Sequence, residues 1–198
     1  MRLGILDRGH GRRQRLLLTV MRLVGRTEPD PVAKVCLYRP ELFGRPWLHW
    51  APQLMRSPSE WTAGEREVLA AFVSQLNACP FCSGVHIGIA DRRNAGISDP
   101  LSQWRRAALD PRMAATFGLL EKVTLTPDAL GPEDIARMRD AGLSDSAIVD
   151  ALYVCFFFNT INRIANAFDF GWDTDADRRK LAKGLDRIGY QVPEFFLR

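Results

Sequence analysis

The sequence predicts a single all-α domain, a bundle of seven or eight helices. Three observations predict it. Helix-start signatures recur along the chain, apolar residues recur at three- and four-residue spacing behind them, and strand signals are few. No Asn-Gly or Asp-Gly hairpin turn occurs, and no period-two run is sustained. The 198 residues suit one domain with a sizeable core, and 46% hydrophobic and 25% charged residues are ordinary globular values.

The elements follow in order. Residues 1–28 form a basic arm, in which 12–24 can make a short amphipathic helix. The arm is read as a frayed extension, with membrane-surface attachment as the alternative. Residues 29–198 form the helical domain. Thr62-Ala63-Gly64-Glu65 reads as a capping box before Val68, Leu69, Phe72, Val73 and Leu76. Asp110-Pro111 and Gly131-Pro132 each place proline at a first helical position. Ser144 can cap a long helix over 145–170, and Asp173 can start a last helix that ends near Gly189. No internal repeat is visible.

Charge distribution excludes one class of partner. Residues 1–26 carry seven arginines against one acid, Asp7, leaving 20 basic and 22 acidic groups in the rest. The body is therefore slightly acidic, and no basic patch for nucleic acid is expected. Four cysteines do not make a disulfide scaffold, and Cys36 and Cys155 lie in apolar stretches where they read as small hydrophobes. No membrane span, signal peptide, cofactor or metal is expected, and the default compartment is the cytoplasm.

Chemistry concentrates in Asn77-Ala78-Cys79-Pro80-Phe81-Cys82-Ser83-Gly84-Val85-His86. Pro80 marks a first helical position, so Cys79 caps the helix and Cys82 sits in its first turn. The helix dipole and exposed N–H groups favour a thiolate there, and two cysteines three apart can close a disulfide. His86 lies one turn beyond Cys82 on the same face and can take its proton. Glu67 lies on the preceding helix. A hairpin turning near Asn77 puts it about 15 Å above the turn and His86 about 10 Å above Cys79, so the two can face each other. Other readings remain. The cysteines with His86 can form a zinc half-site, His86 can be a buried histidine with local partners, and Glu67 can be a solvated-face residue.

Glu67, eleven residues, Cys79-x-x-Cys82, three residues and His86 together resemble the alkylhydroperoxidase D / carboxymuconolactone decarboxylase superfamily, in its peroxidase-like branch. Glu65-Arg66-Glu67-Val68-Leu69-Ala70, Val73-Ser74-Gln75-Leu76-Asn77, Gly142-Leu143-Ser144-Asp145 and Phe158-Asn159-Thr160-Ile161-Asn162-Arg163 extend the resemblance over roughly residues 30–175. The resemblance implies a helical bundle of the alkylhydroperoxidase D-like type, assembly as a homotrimer or hexamer, and reduction of a hydroperoxide substrate. The electrons would come from a dithiol, or from a thioredoxin-like or lipoyl reductant protein. It also implies that Cys82 attacks the peroxide, Cys79 resolves it, and Glu67 and His86 relay protons. The lower thiol pKa is expected at Cys82, because it sits in the first helical turn with His86 one turn on. Phe81 stands where characterised members carry a histidine, which favours an alternative, thiol-disulfide exchange or redox sensing with little turnover. Asn159, Asn162 and Arg163 lie in a very apolar segment and are expected to find partners across helices or subunits.

Overall fold

A computed structural model describes residues 1–106 and 109–191. The last part of the expected 29–198 domain, 192–198, lies outside the described residues. Among these there are eleven α-helices and no strand. The class is all-α, as the sequence predicts. The count exceeds seven or eight because short helices, such as Ile5–Arg8 (α1) and Pro100–Arg106 (α7), carry too few residues to show an apolar period.

The chain begins with α1 and Arg12–Gly25 (α2). Pro31–Tyr38 (α3) follows, then a π turn at Pro40–Gly44, then Arg45–Arg56 (α4). Ala63–Leu76 (α5) and Pro80–Arg92 (α6) form an antiparallel hairpin. After α7 come Pro111–Leu125 (α8), Pro132–Asp140 (α9), Asp145–Phe168 (α10) and Asp175–Ile188 (α11). α5 lies at the centre, packed against α6, α10, α8 and α7, while α11 covers the outer side of α6.

Several helix starts lie where the local chemistry puts them. The Thr62 hydroxyl accepts from the Glu65 N–H at 3.2 Å and the Glu65 carboxylate accepts from the Thr62 N–H at 2.7 Å, completing the capping box. Asp110 caps α8 and Ser144 caps α10. The last helix departs from expectation. Thr174, not Asp173, is its cap, because the Thr174 hydroxyl reaches the Asp177 N–H at 3.2 Å. The arm also differs from a frayed extension. Arg2 donates to the Asn166 and Ala167 carbonyls at the end of α10, both at 3.1 Å, and Leu6 is buried. Those contacts tie the first turn of chain to the domain.

The core is aromatic and aliphatic. Phe72 of α5 stacks on Phe117 of α8 at 3.9 Å, and Trp47 of α4 stacks on Phe157 of α10 at 3.5 Å. Burying each such side chain stabilises the fold by about 1.5–3 kcal/mol. By length and composition α10 could cross a membrane, and half of its apolar window is buried against the rest of the fold. Asn159 and Asn162 bond outside the helix, whereas Arg163 donates to Asn159 of its own helix at 2.8 and 2.6 Å. Asn159 donates to Thr124 Oγ1 at 3.1 Å and accepts from Asn77 at 3.0 Å, and Asn162 accepts from Ser74 at 3.2 Å. Phe157 and Phe158 are buried, whereas Phe156 points outward.

Candidate active site

The cysteine turn is built by the end of α5. The Ala78 N–H bonds to the Gln75 carbonyl at 3.0 Å, and the Cys79 N–H bonds to the Ser74 carbonyl at 2.9 Å. That reciprocal pattern is a Schellman ending, and it needs a left-handed residue at Ala78, where φ is +49°. A non-glycine residue in this region costs about 1–2 kcal/mol. The strain turns the chain so that Cys79 caps α6 with Pro80 at its first position. Cys79 is 1% exposed and Cys82 4%, and both are unpaired thiols.

Glu67, on α5, and His86, on α6, meet directly. Glu67 Oε2 lies 2.6 Å from His86 Nδ1, and the carboxylate is 0% exposed. Two residues that sequence reasoning missed complete the site. Arg56, the last residue of α4, donates to Glu67 Oε1 at 2.6 Å. The Tyr190 hydroxyl donates to both carboxylate oxygens at 2.9 Å and lies 3.4 Å from His86 Nδ1. Arg56 also sits over the Tyr190 ring, 4.8 Å from its centre. Tyr190 offers a faint signal in sequence, since it follows the Gly189 that ends the last helix. Arg56 offers none.

The electrostatics follow from this arrangement. Burial alone would raise the Glu67 carboxyl. The bonds and charges of His86 and Arg56 outweigh it and hold the group below its usual range. Burial, then the Glu67 charge, push the Tyr190 phenol well above its usual range, so it stays a donor. An ionised Glu67 accepts only, so Nδ1 of His86 carries the proton that faces it, and Nε2 is the ring atom left free to exchange a proton. Tyr190 itself sits at φ +66°, just after Gly189 at φ +61°. Burial of its ring and the bonds to Glu67 offset the strain of that conformation. α11 is held on α6 through Arg178, which donates to the Gly84 carbonyl at 3.0 Å.

An apolar cavity of about 400 Å³ adjoins this cluster. Cys82, His86 and Tyr190 line it together with Phe81, Phe157 and Phe158, and Cys79 is not among its lining residues. Cys36 also lines it, and burial pushes that thiol far up, consistent with a small hydrophobe. Burial likewise raises Cys155.

The order of thiol acidity is the reverse of the expectation. Cys79, not Cys82, is the more acidic of the reduced pair. Cys82 donates its S–H to Cys79, and burial opposes this only in part. The N–H groups of Cys82 and Phe81 at the start of α6 favour the Cys79 thiolate further. The same S–H bond, then burial, then the Cys79 charge raise Cys82 well above the usual range. The S–H bond between the two sulfurs therefore counts for more than the place of either cysteine on the helix. Phe81, which lies between the cysteines in sequence, is stacked on Trp172 at 4.2 Å. Among the described residues, no group of three or more His, Cys, Asp or Glu side chains is placed to hold a metal ion.

Comparison with known proteins accords with this architecture. No family model matches the sequence. The chain is 28% identical over 107 residues to the uncharacterized protein YdfG of Bacillus subtilis, covering 52% of this chain and 71% of the relative. It superposes on the crystal structure of an uncharacterized peroxidase-related protein from Silicibacter sp. with a TM-score of 0.68. That match has 24% identity and covers 85% of this chain and 88% of the other. A second crystal structure, described as an alkylhydroperoxidase AhpD core from Ralstonia eutropha, gives a TM-score of 0.69 at 21% identity, covering 95% and 94%. With a central α5–α6 hairpin and both matches spanning most of each chain, the protein has the alkylhydroperoxidase D-like fold that its sequence resembles.

Proposed function

We propose that the protein is a thiol-dependent hydroperoxide reductase using a redox-active Cys79/Cys82 disulfide with Glu67 and His86 as its proton relay. The observation that carries this reading is the shared cavity. Cys82 and His86 line one apolar chamber, and His86 is backed by the buried Glu67 carboxylate at 2.6 Å.

The chemistry runs as follows. His86 Nε2 accepts the Cys82 proton, and the thiolate attacks the terminal oxygen of the hydroperoxide. The O–O bond breaks, the alcohol leaves with a proton from His86, and Cys82 becomes a sulfenic acid. Cys79 then attacks the Cys82 sulfur, water leaves, and a disulfide forms. An external dithiol or a reductant protein returns two electrons and two protons. Glu67 serves the relay through His86 Nδ1, and Arg56 and Tyr190 act as positioning residues, because they hold the Glu67 carboxylate.

Two observations favour the second reading, thiol-disulfide exchange or redox sensing. Phe81 supplies no proton between the cysteines, and the acidic thiol is the cap, Cys79. One experiment separates the readings. Free thiols are titrated before and after one equivalent of an organic hydroperoxide, and turnover is then followed with a dithiol. Loss of two thiols with turnover is the expected result. Loss without turnover selects the exchange protein, and no loss sinks both.

Assembly as a homotrimer or hexamer is proposed from the family resemblance. The outward face of α10 supports it, since Val149, Tyr153 and Phe156 recur there at helical spacing and Trp50 lies beside Phe156 at 6.1 Å. Phe156→Arg should lower the mass seen by light scattering. A wild-type monomer at micromolar concentration would refute the assembly.

A further inference from the structure

The second helix is an unusual surface element. None of its fourteen residues is buried. Arg12, Arg15, Thr19 and Arg22 share one stripe of α2 by helical spacing. Leu16, Val20 and Leu23 share the adjoining stripe. Leu16 is 64%, Leu23 69% and neighbouring Val24 80% exposed. The half-buried Leu17, Leu18 and Met21 make up the remaining face, and Met21 lines the apolar cavity that reaches Cys82. Beyond Arg13 and Gln14 at its start, helix α2 is apolar on both sides of an arginine stripe, and the side with Leu16, Val20 and Leu23 is the exposed one.

We propose that α2 docks the protein on an anionic lipid surface, with Leu16, Val20, Leu23 and Val24 entering the headgroup boundary and the arginines facing the lipid phosphates. Charge selects this occupant. Residues 1–26 carry seven arginines against Asp7 alone, while the rest of the chain is close to neutral. Asp7 is already paired with Lys34 at 3.0 Å, and Glu28 lies 3.7 Å from Arg22. A second copy would bring the same positive face and repel it. An anionic bilayer supplies both a counter-charge and an apolar phase, which a basic helix with exposed leucines and valines requires. Exposed leucines alone would not distinguish a protein partner from a membrane; the arginine stripe running beside them does. The docking does not depend on the redox reading.

The test is co-sedimentation of the full chain with phosphatidylcholine vesicles, with and without one part in three of phosphatidylglycerol. Binding to the anionic vesicles only is expected. It should weaken as added salt shortens the screening length from about 8 Å at physiological strength to about 3 Å at 1 M. Leu16→Ser with Leu23→Ser should abolish it. Arg12→Gln with Arg15→Gln should weaken it about 30-fold, about fivefold per charge. Both double variants change exposed residues outside the cavity, so helicity and turnover of a water-soluble hydroperoxide should match wild type. Failure of wild type to bind anionic vesicles would overturn the proposal. So would binding that the leucine pair does not affect. Loss of oligomer mass in the leucine variant, without wild-type vesicle binding, would give the face to a second copy instead.

Discussion

Cys82→Ser is expected to abolish the fast reaction with an organic hydroperoxide, and Cys79→Ser to retain a single oxidation that stops at sulfenic acid. Cys82 lines the cavity and Cys79 does not, so substrate access favours attack by Cys82. Acidity argues the other way, since the resting thiolate is favoured on Cys79. Access should decide, because a thiolate that cannot reach the peroxide oxygen cannot attack it, whereas His86 lines the same cavity as Cys82 and can serve as its base. The cysteines are also coupled. Replacing Cys79 by serine removes the negative charge that helps to raise Cys82, and a serine hydroxyl can also donate to the Cys82 thiolate. The Cys82 pKa should therefore fall in Cys79→Ser, measured by thiolate ultraviolet absorbance across pH. Mass spectrometry after one equivalent of hydroperoxide distinguishes the roles. If Cys79→Ser stays unmodified while Cys82→Ser gains an oxygen, the capping cysteine attacks and the assignment is reversed. His86→Ala should slow the first oxidation by roughly 100-fold without changing which sulfur is modified.

The second large effect is expected at Glu67. Glu67→Ala should cost about 3–5 kcal/mol of stability, because it strands the Arg56 charge in a largely buried place and leaves Tyr190 and His86 without their acceptor. Urea unfolding of reduced protein measures it. A loss below about 1 kcal/mol, the level of an ordinary surface ion pair, would show that the cluster does not hold the helices together. Glu67→Gln keeps most of the shape and tests the charge through pH. The folded-state carboxyl is held below its reference value of 4.5, so its contribution is present above that value and disappears as pH falls through the folded-state value. Wild type should therefore lose stability on acidification below about pH 4.5 more steeply than Glu67→Gln. Parallel acid limbs for the two proteins would contradict the depressed carboxyl.

Local chemistry was legible wherever a partner lies within a few residues. The Thr62/Glu65 box, the Asp110 and Ser144 caps and Cys79 ahead of Pro80 could all be read because each depends on a hydrogen bond or dihedral that neighbours supply. The antiparallel pairing of Glu67 with His86 was within reach for a related reason. Both lie on helices joined by a three-residue turn, and helical rise alone brings their levels close. Asp173 failed as a cap because two adjacent polar residues can serve, and the Thr174 hydroxyl is the one that meets the Asp177 N–H. The thiol order failed because position in a first turn does not say which sulfur donates to the other.

What the amino-acid sequence determined by itself was the helical class, the site of the cysteine turn and the offset of His86 from Cys82. These are short-range consequences of backbone geometry and residue type. What only the tertiary structure decided was the environment of that motif. Arg56 comes from the end of α4 and Tyr190 from beyond α11, more than a hundred residues apart, and both converge on one carboxylate. The cavity likewise needs α2, α3, α4, α6, α10 and α11 together. No local signal encodes such convergence, because a buried charge is stabilised by whichever donors packing brings to it. Here packing selected a guanidinium, a phenol and an imidazole, and left the second cysteine, not the first, facing the apolar space.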